Sequence, residues 1–245
     1  MSLMRGGDAI VKMLQLHNCD LALGMGGFQV LPYYDALAHQ NQIRHVLIRD
    51  EKHGAFAADG YARIANRPAV ADATLGPGAT NLVSGAAESF GASMPMILLT
   101  GEVNSSLAGR GATQESDQVG MLKPTVKESI TVRRIERVPE LVRRALSIAT
   151  GGRPGPVNLN VPEEICHGTY DFPDEDLYAD PSTFEACARR PRPDPHDVER
   201  AATLIRGAAK PVILVGGGIH LSKAYAELAE FVDIDRKSTR LNSSH

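Results

Sequence analysis

The chain has 245 residues, 43% hydrophobic and 22% charged, with 23 Gly, 15 Pro, 3 Cys, no Trp and a formal net charge of −3. This composition excludes disordered, collagen-like and disulfide-framework proteins, and the absence of a long basic run argues against a nucleic-acid partner. The longest apolar stretches, such as Met94-Pro95-Met96-Ile97-Leu98-Leu99, are too short to span a bilayer, so no membrane partner is expected. The N-terminus lacks the apolar core of a secretory signal, and Cys19, Cys166 and Cys187 show no metal-ligand spacing. The expectation is a reduced, cytoplasmic protein.

Short apolar runs at Leu21–Leu23, His45–Ile48, Ala69–Thr74, Met96–Thr100, Ser129–Val132 and Val157–Val161 predict six strands. Between them, apolar residues at helical spacing predict helices over Asp8–Leu16, Val30–Gln40, Glu51–Asn66, Thr80–Gly91 and Pro139–Thr150. Strands alternating with helices imply an α/β fold: a doubly wound, mostly parallel six-stranded sheet with helices on both faces. Residues 1–166 make this domain. Residues 167–195, rich in Asp, Pro, Glu and Arg, have linker composition. From 196 to 234 a helix (Asp197–Ala208), a strand (Pro211–Val215), a Gly216-Gly217-Gly218 turn and a helix (Ser222–Val232) follow. One strand and two helices cannot bury a core, so this stretch reads as the truncated start of a second α/β domain. The polar tail 235–245 reads as non-native, resembling translated sequencing-adapter read-through.

Ligands of open α/β sheets bind beyond the carboxyl ends of the strands, which directs attention to four segments. The first strand ends in Leu23-Gly24-Met25-Gly26-Gly27, and the second in Arg49-Asp50-Glu51 ahead of a helix rich in small residues. The third ends in Thr74-Leu75-Gly76-Pro77-Gly78-Ala79-Thr80-Asn81, and the fourth leads to Gly111-Ala112-Thr113-Gln114-Glu115-Ser116-Asp117. Each has a plain structural reading. Glycines make tight turns, an acid at a helix N-terminus serves the dipole, and small residues let helices approach. No Walker lysine and no G-x-G-x-x-G accompany them.

Taken together and in order, Arg49-Asp50-Glu51…Ala58-Asp59-Gly60-Tyr61-Ala62-Arg63, Ala73–Asn81, Gln114-Glu115-Ser116-Asp117 and Gly152–Val157 resemble the acetolactate synthase group of thiamine-diphosphate enzymes. The resemblance implies that residues 1–166 are the family's N-terminal pyrimidine-binding domain and that 196–234 open its central domain. It implies that Glu51 is the glutamate that hydrogen-bonds the N1′ of the cofactor's aminopyrimidine and is catalytic. Thr74, Pro77 and Asn81 would line the pyrimidine side, Gly26 would offer backbone there, and Gln114 would serve at the junction of substrate and cofactor. The implied cofactors are thiamine diphosphate and Mg2+, the latter held by a Gly-Asp-Gly…Asn motif of a third domain that these residues do not contain, so no metal ligand is expected here. FAD is implied only if Gly216-Gly217-Gly218 acts as it does in acetolactate synthases. In other members that turn is structural.

The implied activity is decarboxylation of a 2-keto acid, pyruvate, and carboligation by a homodimer or homotetramer, with this fragment alone inactive. The alternatives are another decarboxylase, oxidase or lyase of the superfamily, or a non-catalytic α/β dimerisation module. Departures from the family pattern are Asp50 for a His, Phe56 for a second His, Gly26 for a Pro and Thr113 for an aromatic. The Phe56 and Thr113 positions are ones that shape the family's substrate pocket, so acceptor and donor stay open.

Overall fold

A computed structural model describes residues 1–234. The chain starts with strand β1 (Ser2–Arg5) and helix α1 (Gly6–Leu16), then enters the sheet at β2 (Leu21–Gly24). There follow α2 (Leu31–Ala38), β3 (Arg44–Leu47), α3 (Glu51–Ala65), β4 (Ala69–Ala73), α4 (Pro77–Asn81), α5 (Val83–Ala92) and β5 (Met96–Glu102). The unit continues through α6 (Gln118–Leu122), β6 (Glu128–Thr131), α7 (Val138–Thr150), β7 (Pro156–Pro162), α8 (Glu163–His167) and β8 (Thr169–Phe172). Strands β2 to β7 form one sheet in the spatial order β3-β2-β4-β5-β7-β6, and every neighbouring pair is parallel. The expected six-stranded sheet is therefore present, with all its strands running one way.

Both faces are covered, which is why β4, β5 and β7 are nearly continuous buried runs rather than alternating ones. One face of β4 presents Val70 and Asp72 to the side carrying α1, α2 and α7, where Ile10, Met13, Leu14, Leu141 and Leu146 are buried. The other presents Ala69, Ala71 and Ala73 to α3 and α5. The small residues of α3 serve that packing. Ala55, Ala58 and Ala62 are buried, and a Cβ on Gly85 of α5 would lie 2.4 Å from the Ala55 Cβ. Helix α3 starts where Asp50 accepts a 2.9 Å hydrogen bond from the Lys52 N–H and stops at Asn66 in the left-handed region.

The stretch read as a linker begins inside this unit. β8 pairs antiparallel with β1, and Phe172 is buried while Asp171 is exposed. Farther on, the Ala186 N–H donates to the Asn66 carbonyl and the Cys187 N–H to that of Thr150. Acidic and proline-rich composition hides a two-residue alternation only four residues long. By its internal contacts the first unit runs from Met1 to Arg189, and a second starts at Arg190.

The second unit carries α9 (Pro195–Gly207), α10 (Gly218–Ser222) and α11 (Tyr225–Ile234). The strand expected at Pro211–Val215 does not form, and Val212 and Leu214 are 92% and 94% exposed. A strand needs a neighbouring backbone to satisfy its polar groups, and among the described residues this segment has none. No helix among the described residues is long and apolar enough to cross a membrane. The tail 235–245, read as non-native, lies outside the described residues.

Candidate active site

From β2 the chain crosses to β3 on one side of the sheet, and from β4 it crosses to β5 on the other. The crevice between the carboxyl ends of β2 and β4 is thus the topological switch point, where open α/β sheets bind ligands. Glu51, the first residue of α3, enters it from beyond β3 and is only 4% exposed. Its Oε2 accepts a 3.0 Å hydrogen bond from the Asn81 amide at the end of α4. Its Oε1 faces Gly78, where an added Cβ would lie 3.1 Å from that oxygen and 3.0 Å from the Thr74 Cγ2. A carboxylate so far out of water requires hydrogen-bonding partners, and glycine at 78 keeps space open beside it.

The turns from β2 and β4 touch each other. A Cβ on Gly27 would lie 2.3 Å from the Thr74 side chain, whose hydroxyl donates a 2.7 Å hydrogen bond to Gln29 Oε1. Gly26 is exposed, and a Cβ there would meet only the Tyr34 ring, at 3.8 Å. The close backbone approach in the first turn is therefore made by Gly27, while Gly26 stands at the rim. Pro77 and Gln114 are also exposed at the rim. The structure thus brings Glu51, Thr74 and Asn81 around Gly78, with Gly26, Pro77 and Gln114 at the edge.

Gln114 has φ +63°, and its carbonyl would lie 2.1 Å from a Cβ on Gly76, which itself has φ +60° and ψ −117°. Sequence reading missed Gln118, four residues on and 2% exposed. Its Oε1 accepts from the Gly76 N–H at 2.8 Å, and its Nε2 donates to the Gly101 carbonyl at 2.7 Å and to Asn160 Oδ1 at 2.6 Å. A polar residue at a helix start looks like any solvated glutamine, so nothing local marks it.

Beneath the β2 turn lies a second buried acid, Asp72, with no exposed surface. It accepts a hydrogen bond from the Tyr34 hydroxyl and lies 3.9 Å from His45 Nε2. Burial pushes its carboxyl up to about 7, against the lowering effect of the Tyr34 hydrogen bond. His53 is exposed beside Asp50, away from any buried partner.

Residues 4–121 match the family described as thiamine pyrophosphate enzyme, N-terminal TPP binding domain. The chain is 40% identical over 236 residues to a protein of Methanocaldococcus jannaschii named probable acetolactate synthase large subunit, covering 94% of this chain and 39% of that one. It is 39% identical to the acetolactate synthase large subunit of Corynebacterium glutamicum, over 94% of this chain and 36% of that one. To the acetolactate synthase isozyme 1 large subunit of Escherichia coli it is 37% identical, over 92% of this chain and 39% of the other. The chain thus spans about two fifths of the length of the curated relatives it matches. The matched segment holds α3 with Glu51, the Gly76–Gly78 turn, Asn81 and Gln118. Over residues 4–121 the chain belongs to the thiamine pyrophosphate enzyme family, through that family's N-terminal TPP binding domain.

Proposed function

We propose that this chain is the N-terminal part of a thiamine-diphosphate-dependent enzyme that decarboxylates pyruvate and joins the two-carbon unit to an acceptor carbonyl, as in acetolactate formation. The single observation that carries this reading is Glu51. It is a carboxylate 4% exposed at the switch point, held by Asn81 and facing Gly78. A non-catalytic dimerisation module has no use for such a group, because a buried carboxylate costs stability unless its surroundings are built for it.

The residues present fit an aminopyrimidine. Gly78 leaves open the volume that a methyl group would take from a flat ring, and Thr74 and Gly27 close the inner side against water. Bound thiamine diphosphate supplies a thiazolium ring that accepts the electron pair left behind when carbon dioxide departs. Within this chain, Glu51 hydrogen-bonds the pyrimidine N1′ and holds or releases a proton at its own carboxyl oxygen. Asn81 keeps the carboxylate in one rotamer, leaving Oε1 on the Gly78 side for the ring nitrogen. Low local polarity strengthens that bond. Gln114, at the rim, serves at the substrate junction.

In this reading residues 1–166 are the pyrimidine-binding domain and 196–234 open the central domain. Magnesium belongs to a further domain, and the Gly216–Gly218 turn is where FAD would be held if it is used. The protein works in the cytoplasm as a homodimer or homotetramer. The outward-facing Phe56, Ile64 and Phe90 of α3 and α5 supply apolar surface for the contact between copies. The test is product analysis. The full-length protein with thiamine diphosphate, magnesium and pyruvate should release carbon dioxide and form acetolactate. With 2-ketobutyrate added, the mixed product should appear. Acetaldehyde as the sole product would replace carboligation with simple decarboxylation, and no reaction would refute the reading.

A further inference from the structure

A buried polar assembly in the first unit lies across β5 and β7, and it reaches the candidate site through Gln118. Asn158 donates to the Leu98 carbonyl at 3.0 Å and to Thr100 Oγ1 at 2.9 Å, and Thr100 donates to Asn160 Oδ1 at 2.9 Å. Asn160 also accepts from Gln118 and donates to Glu102. Gln118 then passes out of this assembly to the Gly76 N–H. Three of the four hydrogen-bonding positions of its amide are used, both N–H donors among them, at 2.6 to 2.8 Å, and the side chain is 2% exposed.

The contact falls where the backbone is least ordinary. Gly76, with φ +60° and ψ −117°, adopts a conformation open to glycine alone, and the carbonyl of Gln114 lies against its Cα. One loop therefore grips Gly76 twice, by the Gln114 carbonyl and by the Gln118 side chain. Two residues on, Gly78 faces Glu51, and five residues on, Asn81 bonds it.

We propose that Gln118 is a positioning residue, which by holding the Gly76 N–H fixes the turn that presents Gly78 and Asn81 to Glu51. It acts through that turn and is not itself catalytic. The proposal rests on the reading of Glu51 as the partner of the cofactor's pyrimidine. Without Gln118 the Gly76 N–H is a buried donor with no partner, and the turn shifts to find one.

The experiment compares the full-length protein with Gln118→Leu, Gln118→Glu and, as a control within the same assembly, Asn158→Leu. Three quantities are read: the dissociation constant of thiamine diphosphate, hydrogen exchange at the Gly76 amide, and the pH midpoint of the near-ultraviolet circular dichroism of the bound aminopyrimidine. In Gln118→Leu the dissociation constant should rise about tenfold or more, Gly76 exchange should accelerate, and the midpoint should move. Gln118→Glu keeps an acceptor for the Gly76 N–H and should fall between Gln118→Leu and wild type, which preserves the test if Gln118→Leu does not fold. Asn158→Leu should lower the thermal midpoint and leave cofactor affinity and the pH midpoint unchanged, because it does not touch the turn. Wild-type affinity and pH midpoint in a folded Gln118 variant would overturn the positioning role while leaving Glu51's role intact. Failure of the wild-type protein itself to bind thiamine diphosphate would overturn both, and is read separately.

Discussion

Glu51 and Asp72 show how differently one sheet can bury two acids. Asp72 sits inside, under Gly24 and against Tyr34, and burial holds its carboxyl up at about 7. Glu51 sits at the crevice, bonded by Asn81 and facing the Gly78 space. The glycine that fixes this second environment is Gly76. A Cβ there would meet the Gln114 carbonyl at 2.1 Å in a backbone conformation open to glycine alone. Gly76→Ala should therefore lose about 3 kcal/mol or more of stability, measured by urea unfolding. A loss under about 0.5 kcal/mol would show that the turn adapts. Glu51 was legible in the sequence through the resemblance its Arg49-Asp50-Glu51 segment carries, since an acid at a helix start by itself reads as serving the dipole. Gln118 was not, because its partners Gly76, Gly101 and Asn160 are 42, 17 and 42 residues away and only the fold assembles them. Gly27 was overshadowed by Gly26 for a related reason. Which of two adjacent glycines meets Thr74 depends on the packing of the β4 turn, which carries no local signal.

Among the elements, the six parallel strands and their helices could be read from periodicity, since short apolar runs alternate with helical spacing even where, as in β3, the strand is not buried. The β1–β8 ribbon could not, being two four-residue strands from opposite ends of the unit. The missing strand at Pro211–Val215 marks the opposite limit, where a good local pattern lacks a neighbour to pair with. Packing of α2 on β4 carries its own prediction. A Cβ on Gly24 would lie 1.7 Å from Asp72 Oδ1, so the acid fills the space beside a glycine, with Tyr33, Tyr34 and His45 facing it. Unfolded, Asp72 releases its proton near pH 4, whereas folded it keeps the proton to about pH 7. The folded state thus binds more protons over that interval, and stability falls as pH rises through it, by at most ~4 kcal/mol. Asp72→Asn lacks this titration. Its stability relative to wild type should climb between pH 5 and 7 and level off above, as read from denaturant midpoints across that range. Parallel curves for the two proteins would contradict the assignment. His45, whose protonation is disfavoured by burial, is common to both proteins and drops out of the comparison to first order.

For the whole molecule, the proposed function makes this chain one half of a site. The buried Glu51 lies inward of the exposed Met25, Gly26, Pro77 and Gln114. Such an exposed rim would suit a partner surface closing over a ring bound at Glu51, and the chain spans about two fifths of the length of its relatives. In the proposed function, exclusion of water would come from that closure and proton handling from Glu51. The most direct measurement is the rate of thiamine-diphosphate-dependent carbon dioxide release from pyruvate by the full-length protein, with and without Glu51→Gln. Glutamine keeps the size and the Asn81 contact and removes the exchangeable carboxyl proton. The rate should fall by about 100-fold or more with the thermal midpoint preserved. A rate within about twofold of wild type would contradict the role of Glu51, and with it the proposed function.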